Sequence, residues 1–177
     1  MLDLGAGLRG STLAHALAND WPHYVTYVVS FVTIGIIWLN HNAMFRRVAS
    51  VDHALMSLNL LLLLTIGALP FSTALMAHYL TASGGAKLAA AVYSGSFLVM
   101  SLAFFAMQGY LLGPEGKLVH ERVTPTIRRA ILRRNATGLL PYAVATAAAA
   151  LTPYLTIGIC AVVAGYYAVP VTTADEE

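Results

Sequence analysis

Two long apolar runs, residues 24–39 and 54–69, contain no charged side chain, and a polar hinge of Arg46, Arg47 and Asp52 separates them. At ~1.5 Å of helix rise per residue, each run comes close to crossing a hydrocarbon layer ~30 Å thick. Extended along the chain, the same reading predicts about five helical spans: residues 22–45, 53–79, 86–112, 136–151 and 154–170. Residues 139–171 are uncharged throughout, yet one straight helix of that length would reach ~50 Å and overshoot the membrane. Pro153 cannot donate an amide proton to the preceding turn, so a tight reversal is expected there. Pro141 then falls in the first turns of the fourth span, where proline is tolerated. Gly84 and Gly85, after Ser83, read as the turn between the second and third spans.

The one extended polar segment is residues 113–135. Within it, Thr124 and Pro125 followed by Ile127, Arg128, Ile131 and Leu132 predict a short amphipathic helix leading into the fourth span. Its arginines suit either of two roles, contact with anionic headgroups or simple stop-transfer charge. The fold class expected is all-α, a polytopic transmembrane helix bundle, with residues 1–20 as an outer connection and 21–177 as the membrane domain.

Composition strengthens this picture. The chain is 58% hydrophobic and 10% charged, with a mean hydropathy of +0.71, whereas a soluble domain carries ~25% charged residues. The net charge of +2 is small, and its placement says more than its size. Eight of the ten Lys and Arg residues lie in two loops: Arg46 and Arg47 in one, Lys117, Arg122, Arg128, Arg129, Arg133 and Arg134 in the other. Arg9 and Lys87 remain on the opposite side. The positive-inside rule makes both basic loops cytoplasmic, together with the acidic tail Asp175, Glu176 and Glu177, and five spans then leave the amino terminus outside. These charges act as topology signals, and no nucleic-acid partner is expected. Tyr24, Tyr79, Tyr110, Tyr154, Tyr166 and Tyr167 fall near span ends, as interfacial aromatics do. Cys160, the single cysteine, sits inside the last apolar run as packing, and no intrachain disulfide can form.

Candidate chemistry is sparse. The chain has no Gly-rich phosphate loop, no His pair at metal-binding helical spacing, no nucleophile elbow and no TVGYG filter. Acidic and basic groups are missing from the span interiors, although ion-coupled carriers and proton pumps commonly place them there. The expectation is therefore no enzyme, no cofactor and no metal site. What the spans do hold is neutral polarity: Trp38, Asn40 and His41 lie one to two turns before Arg46, and Asn59 about two turns after Asp52. An antiparallel hairpin brings them to similar depth. Because an unpartnered polar group in hydrocarbon costs several kcal/mol, each needs a partner. Private bonds within the hairpin, Asn40 to Asn59 or His41 to backbone, would supply one; contact with a pore helix would supply another. Metal ligation by His41 is the weakest reading, since a second ligand is lacking nearby. Ala91 with Gly95, and Ala161 with Gly165, have the small-xxx-small spacing of close helix contacts.

The segments WPHYVTYVVSFVTIGIIWLNHNAMFRR (residues 21–47), VDHALMSLNLLLLL (51–64) and LPFSTAL (69–75) resemble the transmembrane protein 175 family of endolysosomal and prokaryotic potassium channels. The likeness is detailed over this stretch and rests on span count and the basic loop beyond it. It implies a six-helix subunit and, in prokaryotic members, four copies around a potassium-permeable pore. It also implies that Trp38, Asn40 and His41 match family positions that hold the pore-lining first helix in place by hydrogen bonds.

That first helix carries an R-x-x-x-F-S-D motif in the family, and no F-S-D occurs in this sequence. The first span here corresponds to the family's second, and residues 2–20, with Leu13, Ala14, Leu17 and Ala18 on one helical face, resemble the outer end of the first helix and the connection after it. The expectation is a subunit lacking its pore-lining helix, through a misplaced start or a real truncation, so that the constriction residues are unknown and conduction is in question. The sequence thus predicts a potassium channel subunit, homo-oligomeric and tetrameric by resemblance, in a prokaryotic plasma membrane, with potassium ions and lipid as partners. Two competing classes stay open: a structural or assembly membrane protein without transport, and a small carrier or membrane enzyme using His41 and Asn59.

Overall fold

A computed structural model describes residues 10–82, 84–113, 118–120 and 123–168. Six α-helices run through them: α1 (Gly10–Asn19), α2 (Trp21–Phe45), α3 (His53–Leu80), α4 (Ala86–Leu111), α5 (Pro125–Ala148) and α6 (Pro153–Ala168). The protein is an all-α transmembrane bundle. Helices α2, α3 and α4 are each long and apolar enough to cross a bilayer. Helix α6 has 16 residues, which gives it a length of ~24 Å.

Local chemistry sets the helix ends. Asp52, in extended backbone, caps α3 by accepting from the Leu55 amide at 2.8 Å, satisfying one of the amides a helix start leaves without a partner. Thr124 caps α5 in the same way, ahead of Pro125. Gly85 caps α4 at φ +82°, where an added Cβ would lie 2.9 Å from Tyr79 Cδ1, so both backbone and space require glycine there. The reversal expected at Pro153 is present, with turn residues joining α5 to α6.

One sequence expectation changes. The amphipathic segment and the fourth span form one continuous helix, α5, so Pro141 lies in its interior and not in its first turns. The Thr124 cap starts the helix early, and nothing stops it before the membrane. Residues 10–19, where Leu13, Ala14, Leu17 and Ala18 were read on one helical face, form α1, and the Asp20 amide bonds to Ala16 O at 3.1 Å before α2 begins. Arg9, Ser83, Lys117, Arg122 and the acidic tail lie outside the described residues, as does the Tyr167 side chain.

The core forms around α4. Tyr93, Met100 and Met107 on one row, and Ala90, Phe97, Phe104 and Leu111 on the next, recur at seven-residue intervals and are buried. Helix α3 answers with Leu55, Leu62, Leu69 and Met76 at the same interval. Matching seven-residue rows on antiparallel neighbours are the pattern that side-chain interdigitation requires, and in lipid such a seam stabilises by close contact more than by removal of water. Tyr27, Phe31, Leu64, Phe71, Leu88 and Val162 are exposed on the outer surface, where hydrocarbon is the solvent. At the opposite side from Gly85, the two basic loops meet: Ala49 N donates to Leu118 O at 2.8 Å and His120 N to Arg47 O at 3.0 Å, forming an isolated antiparallel bridge between Val48 and Val119.

Candidate functional site

The α2–α3 hairpin places the neutral polar residues at matching depth. His41 Nε2 lies 2.9 Å from Asn59 Oδ1, a bond that the tautomer protonated at Nε2 makes with the ring as donor. The His41 ring is stacked between Trp38, with centroids 5.8 Å apart and planes 11° from parallel, and Phe45 at 4.4 Å and 27°. Residues three and four apart share one helix face, so this column follows directly from the order Trp38, His41, Phe45. Asn40 points elsewhere: its Nδ2 donates to Ile36 O at 2.8 Å. Of the four residues singled out, the fold joins His41 to Asn59 and stacks Trp38 on His41, while Asn40 stands apart. The hairpin partner of Asn59 is His41 rather than Asn40, because Asn40 is rotated about 100° around the helix from its neighbour.

Trp38 is 62% exposed, so the column has one covered side, facing α3, and one open side. Asn40 borders a cavity of about 70 Å³ of mixed lining, with Thr33, Ser101, Arg134 and Asn135 among its polar residues and Ile36, Ile37 and Phe104 among its apolar ones. A water needs ~10–15 Å³ of such volume, so several fit. Beside the cavity, Asn135 donates to Gln108 Oε1, tying α5 to α4. Among the described residues no group of three or more His, Cys, Asp or Glu gathers in metal-binding array.

Sequence reasoning missed a second polar cluster, in the half of the bundle away from the Arg46–Arg47 loop. Ser30 Oγ is 2.8 Å from Thr73 Oγ1 and 3.3 Å from Tyr93 Oη, all three side chains being buried. Thr73 Oγ1 donates to Leu69 O at 2.7 Å. Ser30 Oγ also donates to Thr26 O at 2.7 Å, and Tyr93 Oη lies 3.3 Å from the same carbonyl. A hydroxyl has one proton, so the three share more acceptors than they have protons, and their contacts join α4, α2 and α3. The signal was present: Thr26, Ser30 and Thr33 form a polar stripe on α2, and α2 buries that stripe with Pro22, Val29 and Met44. In a membrane helix the more polar face turns inward.

Outside the bilayer, Tyr110 Oη donates to Asp52 Oδ2 at 2.6 Å. This bond first, and then the Leu55 amide, hold the Asp52 carboxyl below its usual pKa of 3.8.

The chain is similar to known proteins in sequence and in fold. The family model described as endosomal/lysosomal potassium channel TMEM175 matches residues 3–70. A potassium channel of Streptomyces collinus is 43% identical over 166 residues, covering 92% of this chain and 80% of its own length. The chain belongs to the TMEM175 family. A potassium channel of Chamaesiphon minutus is 34% identical over 156 residues, covering 88% of this chain and 76% of its own. The crystal structure of a lysosomal potassium-selective channel TMEM175 homolog from that organism superimposes with a TM-score of 0.78 at 33% identity, over 89% of this chain and 78% of that one. The TMEM175 likeness therefore extends beyond the hairpin into α4, α5 and α6, where sequence reading had only span count and the basic loop.

Proposed function

We propose that this protein is a subunit of a potassium-permeable channel of the TMEM175 type. The observation that carries the reading is the 43% identity to the Streptomyces potassium channel over 92% of the chain. The architecture supports it: spans α2 to α4 hold hydroxyls, amides and one imidazole in their interiors, and Lys87 lies in the first turn of α4. Such a lining suits passive permeation better than coupling to an intramembrane charge.

In this reading Trp38, Asn40, His41 and Asn59 position the pore. The His41–Asn59 bond fixes the angle of α2 against α3, and the open face of the Trp38–His41–Phe45 column receives a neighbouring helix of the assembled channel. Assembly is a homo-oligomer, taken to be a tetramer, in a prokaryotic plasma membrane with the basic loops cytoplasmic.

The test is potassium flux from liposomes containing the purified protein under an outward potassium gradient. Expected is flux well above protein-free vesicles, reduced severalfold by His41→Ala. Folded, reconstituted protein giving the same leak as empty vesicles would overturn the reading.

A further inference from the structure

Helix α5 changes character along one face. Thr126, Arg129, Arg133, Arg134 and Thr137 line a cleft of about 490 Å³. Arg134 and Thr137 also stand at the head of a second, larger groove of about 840 Å³ between α5 and α6, walled by Leu140, Val144, Leu155, Ile159, Val162 and Tyr166. The two are continuous. The stripe 126, 129, 133, 137, 140, 144 advances by threes and fours, so it is one helix face, cationic up to Arg133 and apolar after Thr137, with Arg134 at its edge.

We propose that this continuous cleft binds an anionic phospholipid of the leaflet next to the basic loops, the phosphate on Arg129, Arg133 and Arg134 and one acyl chain along the α5–α6 groove. Three observations support it. First, the sole ion pair among the described residues joins His23 to Asp20, so these three guanidinium groups lack a carboxylate there. Arg129 and Arg133 are like charges four apart, a destabilising arrangement that an anion relieves, and each guanidinium offers a planar fork matched to phosphate oxygens.

Second, the dimensions fit one leaflet. Arg133 to Val144 rises ~16 Å along the helix, and half of a hydrocarbon core is ~15 Å. Third, the groove wall is uncovered, with Leu140 66%, Val162 73% and Tyr166 70% exposed. Tyr166 stands near the cationic end, the depth at which interfacial aromatics sit. A free phosphate would use the arginines alone; a phospholipid uses both halves. The site requires only that the basic end of α5 lie at a leaflet surface, and it is independent of conduction.

The test uses the full-length protein, delipidated in mild detergent, with lipid retention read by native mass spectrometry and by thermal stability. Dioleoyl phosphatidylglycerol should be retained and raise the melting temperature, and dioleoyl phosphatidylcholine should bind much more weakly. Arg129→Gln and Arg133→Gln should each weaken phosphatidylglycerol retention about fivefold, while the lysine variants at the same positions keep most of it. Val162→Trp, which fills the groove without altering charge, should also weaken it severalfold and leave any effect of inorganic phosphate unchanged. Equal retention of the two lipids would overturn the proposal, and so would full displacement by inorganic phosphate with Val162→Trp binding as the parent does. Helical content and elution volume confirm that each variant is folded.

Discussion

The two oxygens of Asp52 join the start of α3 to the end of α4: one accepts from the Leu55 amide, the other from Tyr110 Oη at 2.6 Å. Because its folded pKa lies below the ordinary 3.8, its contribution is fully present above that value and is lost as pH falls through the lower, folded one. Asp52→Asn should therefore melt earlier than the parent at neutral pH, with the gap narrowing as the solution is acidified below about 3.8. A gap that stayed constant with pH would assign the difference to shape and not to charge. Residue identity was readable at the hairpin, where Trp38, His41 and Asn59 stood out as polar groups in apolar runs. Their pairing was not, because which of Asn40 and His41 faces α3 depends on the rotation of α2, which a linear pattern does not fix.

Among the elements, α2 and α5 hold the lessons. The Thr26, Ser30 and Thr33 stripe gives α2 its inward face, and the Tyr93–Ser30–Thr73 cluster fastens it to two neighbours. Ser30→Ala removes the hydroxyl at the centre of that cluster and should destabilise the bundle in detergent by about 0.6–1.7 kcal/mol, as interhelical bonds in lipid do. Tyr93→Phe, which removes contacts of 3.3 Å, should cost less, and the reverse ranking would make the longer contacts the stronger fasteners. The span ends of α3 and α4 could be read from charge and glycine, since Asp52 and Gly85 impose local geometry. The single length of α5 could not: polarity changes halfway along it, and a change of solvent looks like a change of structure when only hydropathy is followed. The heptad match of α3 to α4 was similarly hidden, because on helices apolar all round the buried row does not stand out from the lipid-facing one.

For the whole molecule, the arrangement of basic loops sets a direction across the membrane. Ala49, exposed in the first basic loop, and Ala82, exposed next to the Gly84–Gly85 turn, lie at opposite ends of α3. With Cys160 buried and silent, Ala82→Cys should react with a membrane-impermeant thiol reagent in intact cells, and Ala49→Cys only after the cells are opened; labelling in the opposite order would invert the bundle. The small-xxx-small pairs have a separate message at this scale. A Cβ added at Gly95 or at Gly165 would meet nothing within 4 Å, so these glycines do not serve contacts inside the subunit. The backbone bridge between Val48 and Val119 joins the α2–α3 turn to the segment before α5, clamping four helices at one rim by bonds of 2.8 and 3.0 Å. At the far rim, α2 and α3 part around a groove of about 380 Å³ beside Tyr27 and Thr73. Helix α2 is thus tethered twice, by its turn's backbone bonds at the arginine-bearing rim and by Ser30 against Thr73 in the other half, so cutting either tether leaves the second as a pivot.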